Sequence, residues 1–364
     1  MKSLWLRKED KAGELRVPLT PKEVQALVEV GVPVTVERSE DRCFNDADYA
    51  QAGAKLTSEP WTEAPLDTVV IALKELAETD APIAHTHIHF SHTFKGQEGA
   101  AEVLSRFARG GGVVYDLEFL HDAQGKRIAA FGYWAGFVGA ALGLLGLTHF
   151  HAKQEAAASS FPALAPYASR EALVAAVQAA LAAQALPAPL KVLIIGALGR
   201  CGSGACDLIQ SLDRDVQISA WDLPEFNSAT KPLAAAVEHD VFINCVYLRE
   251  AIEPMIDETL LANNQRLRII SDVSCDPSSP DNPIAVYDHI TTLSSPFVRA
   301  RGEGSAVYVQ AIDHLPTLLP REASEEYAAA LFPYLKDFLL SEEPSSTWSG
   351  AKASFDLACE QCLA

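Results

Sequence analysis

Basic residues are scarce in this chain of 364: 29 Lys and Arg stand against 48 Asp and Glu, a formal net charge of −19. That balance repels the phosphates of DNA and RNA and the anionic face of a membrane, so none of these is an expected partner. An anionic small molecule would need basic side chains gathered locally. Cysteine is thin as well. Seven are scattered along the chain, too few and too dispersed for a secreted disulfide framework. The opening Met-Lys-Ser-Leu-Trp-Leu-Arg-Lys-Glu-Asp lacks the apolar core of a secretion signal, and a cytoplasmic location is expected. No internal repeat is evident. Phe131 to Phe150 is an uncharged run of bilayer-spanning length, with Gly132, Gly136, Gly139, Gly143 and Gly146 recurring every three or four residues. Such a stripe suits a membrane helix pair or a buried soluble helix, and in an acidic α/β chain the expectation is a buried helix joining two domains.

What is present alternates strands and helices. Strands are expected at Ser3–Arg7, Pro33–Glu37, Thr68–Leu73, Ile83–Phe90 and Val113–Asp116, and helices over Pro21–Glu29 and Gly99–Arg109. An alanine-rich stretch at 156–186 reads as surface helix. Two amphipathic helices, about 321–340 and 349–362, are expected to cross back over the first domain. The fold expected is α/β, with two Rossmann-like doubly wound parallel-sheet domains and an active-site cleft between them. Residues 1–128 with 325–364 form the substrate side, and 129–324 form the dinucleotide domain.

The pattern centres on 191–222. Val192–Ile195 reads as a strand buried on both faces; Gly196, Gly199 and Gly202 follow, then a helix from about Arg200 to Leu212. Glycine lets the backbone turn sharply and approach a ligand, and a helix N-terminus aims free N–H groups at a diphosphate. Asp222 ends the next strand, where a dinucleotide fold keeps the carboxylate that binds the ribose 2′-OH and repels the 2′-phosphate of NADP. The spacing is Gly-x-x-Gly-x-x-Gly rather than the commoner Gly-x-Gly-x-x-Gly, but strand, helix and Asp fall in register. NAD is the expected cofactor.

Ligands of open parallel sheets bind beyond the carboxyl ends of strands. Reading off those ends gives Lys74 and Glu75, His92 and Glu118. Burial lowers the pKa of a lysine and nearby carboxylates raise it, so Lys74 could accept a proton near neutral pH; a surface lysine paired with Glu75 is the plainer reading. His85, His87 and His89 share one strand face and could hold zinc or iron, which makes a metal-dependent enzyme the rival class. They are about 7 Å apart with no acidic ligand near in sequence, so structural histidines and a single catalytic imidazole at His92 are preferred, with no metal. Cys359-Glu-Gln-Cys362 stands alone and reads as incidental. Cys201, in the glycine turn, and Cys245, near a strand end, are either inert thiols or a disulfide that obstructs NAD.

These residues resemble the lysine-forming saccharopine dehydrogenases of the fungal lysine pathway, relatives of alanine dehydrogenase. The resemblance runs through Arg16-Val-Pro-Leu-Thr-Pro21, Leu73-Lys-Glu75, Phe90-Ser-His-Thr-Phe-Lys-Gly-Gln97, Tyr115-Asp-Leu-Glu-Phe-Leu120, Arg127-Ile-Ala-Ala-Phe-Gly132, Gly196-Ala-Leu-Gly-Arg-Cys-Gly202, Asp272-Val-Ser-Cys-Asp276 and Ile312-Asp-His-Leu-Pro-Thr-Leu-Leu-Pro-Arg-Glu322. It implies oxidative cleavage of saccharopine by NAD and water to lysine, 2-oxoglutarate and NADH. It assigns Lys74 and His92 to catalysis, and Arg16, Lys95, Gln97, Arg127, Phe131, Ser274, Cys275 and Asp276 to the substrate, Arg16 and Arg127 each by a bidentate carboxylate pair. Gly199, Arg200, Asp222, Phe226, Tyr247, Val273, Ile312, Asp313, His314, Leu315 and Lys126 fall to the cofactor. Phe226, Lys126 and Cys275 depart from the residues usual there. The Gln-Cys-Leu-Ala terminus lacks the peroxisomal tripeptide of some fungal members, and a cytoplasmic monomer acting on a small molecule is expected. The nearest alternative is another NAD-dependent amino-acid or opine dehydrogenase of the alanine dehydrogenase type.

Overall fold

The computed structural model describes residues 2–153, 157–246, 248, 250, 252–277, 279 and 281–363. Its strands are β1 (Leu4–Leu6), β2 (Val34–Glu37), β3 (Lys55–Thr57), β4 (Val69–Ile71), β5 (Thr86–His89), β6 (Val113–Asp116), β7 (Leu190–Ile195), β8 (Val216–Trp221), β9 (Val241–Asn244), β10 (Ile269–Asp272), β11 (Val298–Arg299) and β12 (Tyr308–Gln310). Its helices are α1 (Pro21–Glu29), α2 (Asp46–Gln51), α3 (Ala100–Gly110), α4 (Gly132–Ala152), α5 (Arg170–Ala182), α6 (Arg200–Gln210), α7 (Leu223–Ser228), α8 (Glu258–Ala262), α9 (Pro320–Leu340) and α10 (Ser346–Leu363). The chain divides into unit 1, Met1–Ala130 with Pro320–Ala364, and unit 2, Phe131–Leu319.

Unit 1 is built on a sheet ordered β3-β2-β1-β4-β5-β6, parallel throughout. β1 and β4 are buried along their whole length, as apolar runs without alternation require when both faces are covered. The chain starts in the middle at β1, winds outward to β3, then returns to β4 on the other side. Loops from β1 and β4 therefore part in opposite directions, and the gap at their carboxyl ends is the switch point where such sheets bind ligands. α9 and α10 complete this unit. Trp348 is fully buried against Phe338 and Tyr115, at ring distances of 4.4 and 5.4 Å, and Lys2 Nζ donates to the Phe338 carbonyl at 2.7 Å.

Unit 2 carries a sheet ordered β11-β12-β10-β9-β7-β8, parallel except for β11 against β12. Its switch point lies between β7 and β9. By composition α4 could cross a bilayer, with a mean hydropathy of 1.3, yet 72% of that stretch is buried inside the protein. Its glycines explain the burial. A Cβ on Gly136 would stand 1.7 Å from the Cys201 carbonyl of α6, and one on Gly204 of α6 2.0 Å from the Tyr133 carbonyl of α4, so the helices cross backbone to backbone. Further along, Gly139 and Gly146 meet side chains of the sheet layer, Val273 and Phe297. The stripe thus serves α6 at one end and the sheet at the other.

The alanine-rich stretch is less helical than its composition suggests. Among its described residues only Arg170–Ala182 forms an α-helix, started by Ser169, whose Oγ accepts the Ala172 N–H at 3.3 Å. Pro162 and Pro166 before it keep the preceding segment extended. β3, β11 and β12 and the short helix α2 lie outside the sequence reading. Each spans only two to six residues, too few to show a period.

Candidate active site

Lys74 lies three residues beyond β4, at the switch point of unit 1. Its Nζ stands 3.9 Å from Glu14 Oε2. Glu14 and Arg16, on the loop that follows β1, are both buried: Arg16 donates through Nε to Glu14 Oε1 at 2.8 Å and through Nη2 to Oε2 at 2.6 Å. Burial raises the Glu14 pKa, but the Arg16 hydrogen bonds and charge outweigh it and hold the carboxyl below its ordinary value. Burial and then the Arg16 charge depress Lys74, with Glu14 opposing in part; the net is a lysine below its usual pKa. A lowered lysine holds a larger neutral fraction at a given pH, the state a proton acceptor needs. Glu75, the partner considered for Lys74 in the sequence, instead takes Lys11 Nζ at 3.1 Å.

A second cluster follows β5 and β6. Lys95 Nζ and Arg127 Nη2 both donate to Glu118 Oε1, at 2.6 and 2.7 Å. Burial raises the Glu118 pKa, but Lys95 and Arg127, with a smaller contribution from His92, bring it below the carboxylate norm. His92 is exposed and has φ 53°, an uncommon conformation for a residue with a Cβ. Buried Asp116 fixes its loop: one carboxylate oxygen accepts the Ser91 N–H at 3.0 Å and Ser91 Oγ at 2.7 Å, the other the Glu118 N–H at 2.8 Å. His92 and Glu118 thus hang from one carboxylate. Gln97 turns inward on its own loop, its Oε1 accepting the Lys95 N–H at 2.8 Å. Tyr327 of α9 is buried with its ring 6.1 Å from Phe90, and the charges of Arg127, Asp116 and Arg16 all act on it. It therefore lies within electrostatic reach of both clusters.

The three strand histidines have a different task. His85, His87 and His89 are buried, with neighbouring ring centroids 6.4 and 5.7 Å apart and planes nearly perpendicular; Trp61 and Phe107 complete the edge-on stack. His85 Nε2 is bound to the Ala64 carbonyl at 2.9 Å. Burial pushes His89 down to about 3 and His87 well below its ordinary value. Among the described residues no group of His, Cys, Asp and Glu is placed to hold a metal ion. All seven cysteines are free thiols, so Cys201 and Cys245 form no disulfide.

In unit 2 the bend after β7 is shaped at its glycines. Gly196 has φ 80°, and a Cβ on Gly202 would stand 2.2 Å from the Gly196 carbonyl, so the first turn of α6 lies directly on the bend. Gly199 caps α6 and Arg200 begins it. Asp222 Oδ2 accepts the Leu198 N–H of the bend at 2.9 Å and Oδ1 the Leu223 N–H at 2.9 Å. The acid thus ties the bend to α7. This fits a dinucleotide: a glycine cradle that a Cβ would fill, a helix N-terminus facing it and a carboxylate at its rim.

The other residues assigned to cofactor and substrate fall as follows. Phe226 on α7 is half-buried under Lys231 Nζ, 3.8 Å from the ring centroid. Ile312 and Leu315 are core side chains, so they offer a ligand only backbone, whereas Asp313 is exposed and His314 half-buried. Val273 packs toward α4 beside Gly139. Tyr247 lies outside the described residues. Ser274 and Asp276 line a cavity of about 260 Å³ beyond β10 with Val246 and Asn282, and burial pushes the Cys275 thiol up. Phe131 precedes α4, and Lys126 sits exposed in a turn of unit 1. Sequence reasoning missed Arg7, Glu9, Glu14, Asp116 and Tyr327. Arg7 and Glu9 directly follow a buried strand, the signal that had singled out Lys74.

Two doubly wound units in one chain, one with a glycine bend fit for a dinucleotide and the other with a lysine at its switch point, are the marks of a dehydrogenase of the alanine dehydrogenase type. The fold resembles that of an L-alanine dehydrogenase, with a TM-score of 0.66 over 99% of both chains at 17% identity. It also resembles a transhydrogenase from Sinorhizobium meliloti, with a TM-score of 0.65 over 96% of this chain and 97% of the other at 16% identity. Residues 5–138 match the alanine dehydrogenase/PNT N-terminal domain family. Sequence likeness narrows the class. Over 97% of both chains this one is 42% identical to a saccharopine dehydrogenase (NAD(+), L-lysine-forming) of Schizosaccharomyces pombe. It is 41% identical to that of Candida albicans, over 97% of this chain and 96% of the other. The chain belongs to the L-lysine-forming, NAD-dependent saccharopine dehydrogenase family.

Proposed function

We propose that this enzyme cleaves saccharopine oxidatively with NAD and water, giving lysine, 2-oxoglutarate, NADH and a proton, with Lys74 as the proton acceptor. The observation that carries the assignment of Lys74 is its place at the switch point of unit 1, its pKa lowered, with Glu14 and Arg16 beside it. Lys74 Nζ takes the proton of the secondary amine, leaving a nitrogen lone pair that forms the imine as the glutaryl carbon gives up hydride. Bound NAD supplies the two-electron acceptor for that hydride, held by the glycine bend, the start of α6 and Asp222. His92 then takes a proton from the water that adds to the imine carbon while Lys74 returns its proton to the nitrogen, giving the carbinolamine. As this collapses, His92 gives its proton to the departing nitrogen and the hydroxyl proton is lost as the carbonyl forms, which is the proton released overall. Saccharopine carries three carboxylates, which gives Arg16, Arg127 and Lys95 a common task. Glu14 occupies the Nε–Nη2 fork of Arg16 and Glu118 shares Arg127 and Lys95, so substrate carboxylates meet guanidinium groups already oriented by protein carboxylates.

The excess of acidic residues speaks against nucleic acid and anionic membrane surfaces as partners, and we take the protein to act on small molecules as a cytoplasmic monomer. Purified protein is assayed for NADH formation with saccharopine and, in parallel, with alanine. Turnover of saccharopine, abolished in Lys74→Met with NAD binding retained, is the expected result. Activity with alanine alone, or full activity of Lys74→Met, refutes the reading.

A further inference from the structure

We propose that Glu9 and Arg7 are positioning residues that hold the backbone of residues 73–75 and so aim Lys74; the proposal rests on the role given to Lys74 above. Neither residue touches Lys74 Nζ through its side chain. Both act on main chain at the point where it leaves the sheet. The last ladder contacts of this stretch are the Arg7 N–H to the Ile71 carbonyl at 3.0 Å on the β1 side and, on the β5 side, the Ala72 N–H to the Ile88 carbonyl at 3.1 Å and the Phe90 N–H to the Leu73 carbonyl at 2.9 Å. On the β1 side Glu9 then takes over: Oε1 accepts the Leu73 N–H at 2.7 Å and Oε2 the Lys74 N–H at 2.9 Å. From the same loop Arg7 Nη2 donates to the Lys74 carbonyl at 2.7 Å and, more weakly, to the Glu75 carbonyl at 3.4 Å.

A carboxylate that spans two successive N–H groups sets the dihedral angles between them, and with them the direction in which the Lys74 Cβ leaves the chain. Arg7 grips the same residue from its carbonyl side, at the next peptide. The pair is 3.9 Å apart and almost wholly buried, with side chains 1% and 8% exposed. Burying two charges is costly, and a loop that needed only to be ordered could be closed by neutral groups. Here the charged pair sits behind one residue, the lysine at the switch point. Burial also raises the Glu9 carboxyl to about 7 against the pull of Arg7 and the two N–H groups, while Glu14, the other charged neighbour, pushes it up further. The grip is therefore a carboxylate above neutral pH and a carboxylic acid below it.

The test is Glu9→Gln in the full-length enzyme. The amide keeps the shape but turns an NH₂ toward one of the two N–H donors, releasing that side. Saccharopine oxidation is followed across pH, with NAD affinity and thermal stability measured alongside, and Lys74→Met as a control. The expected outcome is a kcat lower by about ten- to a hundredfold, with the saccharopine KM and the NAD Kd within about threefold of wild type. The rising limb of the rate should move up by about half a pH unit or more, because a loosened Lys74 is better solvated and its pKa climbs toward that of a free lysine. Unchanged kcat and an unmoved limb overturn the proposal. So does a lower kcat with an unmoved limb, which signals only fewer folded molecules. If Glu9→Gln does not fold, Arg7→Lys, which keeps the charge and loses the fork, is put to the same readings. Activity retained in Lys74→Met removes the reading beneath the proposal; an inactive Lys74→Met beside a normal Glu9→Gln removes the clamp alone.

Discussion

Two alanine substitutions three residues apart separate the glycine bend's part in folding from its part in binding. A Cβ on Gly202 meets the Gly196 carbonyl at 2.2 Å, Ala197 Cα at 2.5 Å and the Ala197 carbonyl carbon at 2.8 Å. All three are backbone atoms, so α6 must back away by about 1 Å to restore ordinary contact, a strain of about 1–3 kcal/mol or more. Gly202→Ala should therefore lower the melting temperature of unit 2 by several degrees. Gly199 differs. Its φ of −74° suits alanine, and the nearest atom to its Cβ is the Gly196 carbonyl oxygen at 3.2 Å, relieved by a shift of a few tenths of an ångström. The folded protein should tolerate Gly199→Ala, and the new methyl matters only to a diphosphate seated on the bend. Crowding it by about 1–3 kcal/mol raises the NAD dissociation constant about 5- to 150-fold. Calorimetric titration with NAD, paired with thermal unfolding, reads both effects. If Gly199→Ala binds NAD as tightly as wild type, no diphosphate lies against this bend, and an unmoved melting temperature in Gly202→Ala would falsify the close approach of α6.

Three further outcomes follow from the same geometry. Glu14→Gln removes the carboxylate that raises Lys74 and leaves the Arg16 charge uncompensated beside it, so the rising limb of saccharopine oxidation should move to lower pH; a move to higher pH contradicts the assigned neighbours. Asp222→Ser leaves the bend and α7 without their shared acceptor and removes the charge that rejects a 2′-phosphate, so the ratio of kcat/KM for NAD over NADP should fall by about tenfold or more, and an unchanged ratio refutes that role. Asp272 is buried, and burial raises its pKa from 3.8 to about 6, against hydrogen bonds from Tyr287 and Asn244. Because the folded state holds this proton more tightly than the unfolded one, its contribution of about 3 kcal/mol is complete below about pH 4 and lost as pH rises through about 6. Asp272→Asn should flatten that part of the stability profile of unit 2, and an unaltered slope in thermal unfolding across the window counts against the buried carboxyl.

What the sequence revealed and what it hid follow from how far apart the partners lie. Strands such as Val192–Ile195 and Val69–Ile71 are continuous apolar runs, and burial on both faces of a parallel sheet requires that pattern, so they could be read locally. The bend was legible for the same reason, since turn, helix start and Asp222 lie within one βαβ stretch. β3 and β11 at the sheet edges were hidden because two or three half-exposed residues carry no period. Glu9 and Leu73 lie 64 residues apart and meet only because β1 and β4 are neighbours in the sheet. Composition could not tell a lysine flanked by Glu75 from one facing Glu14 and Arg16. Nor could it show that the histidines at 85, 87 and 89 stack edge to edge against Trp61 and Phe107 instead of converging on an ion.

The discontinuity of unit 1 has a bearing on biosynthesis. All six strands of its sheet are translated by residue 116, but Trp348 and Phe338, which close against Tyr115, follow more than two hundred residues later. During that interval unit 2 emerges with its complete set of elements while the earlier sheet waits, one flank open to solvent. The nascent chain is thus most exposed to chaperone capture or misassociation on the side destined for α10, and relief comes only when residues past 320 are translated.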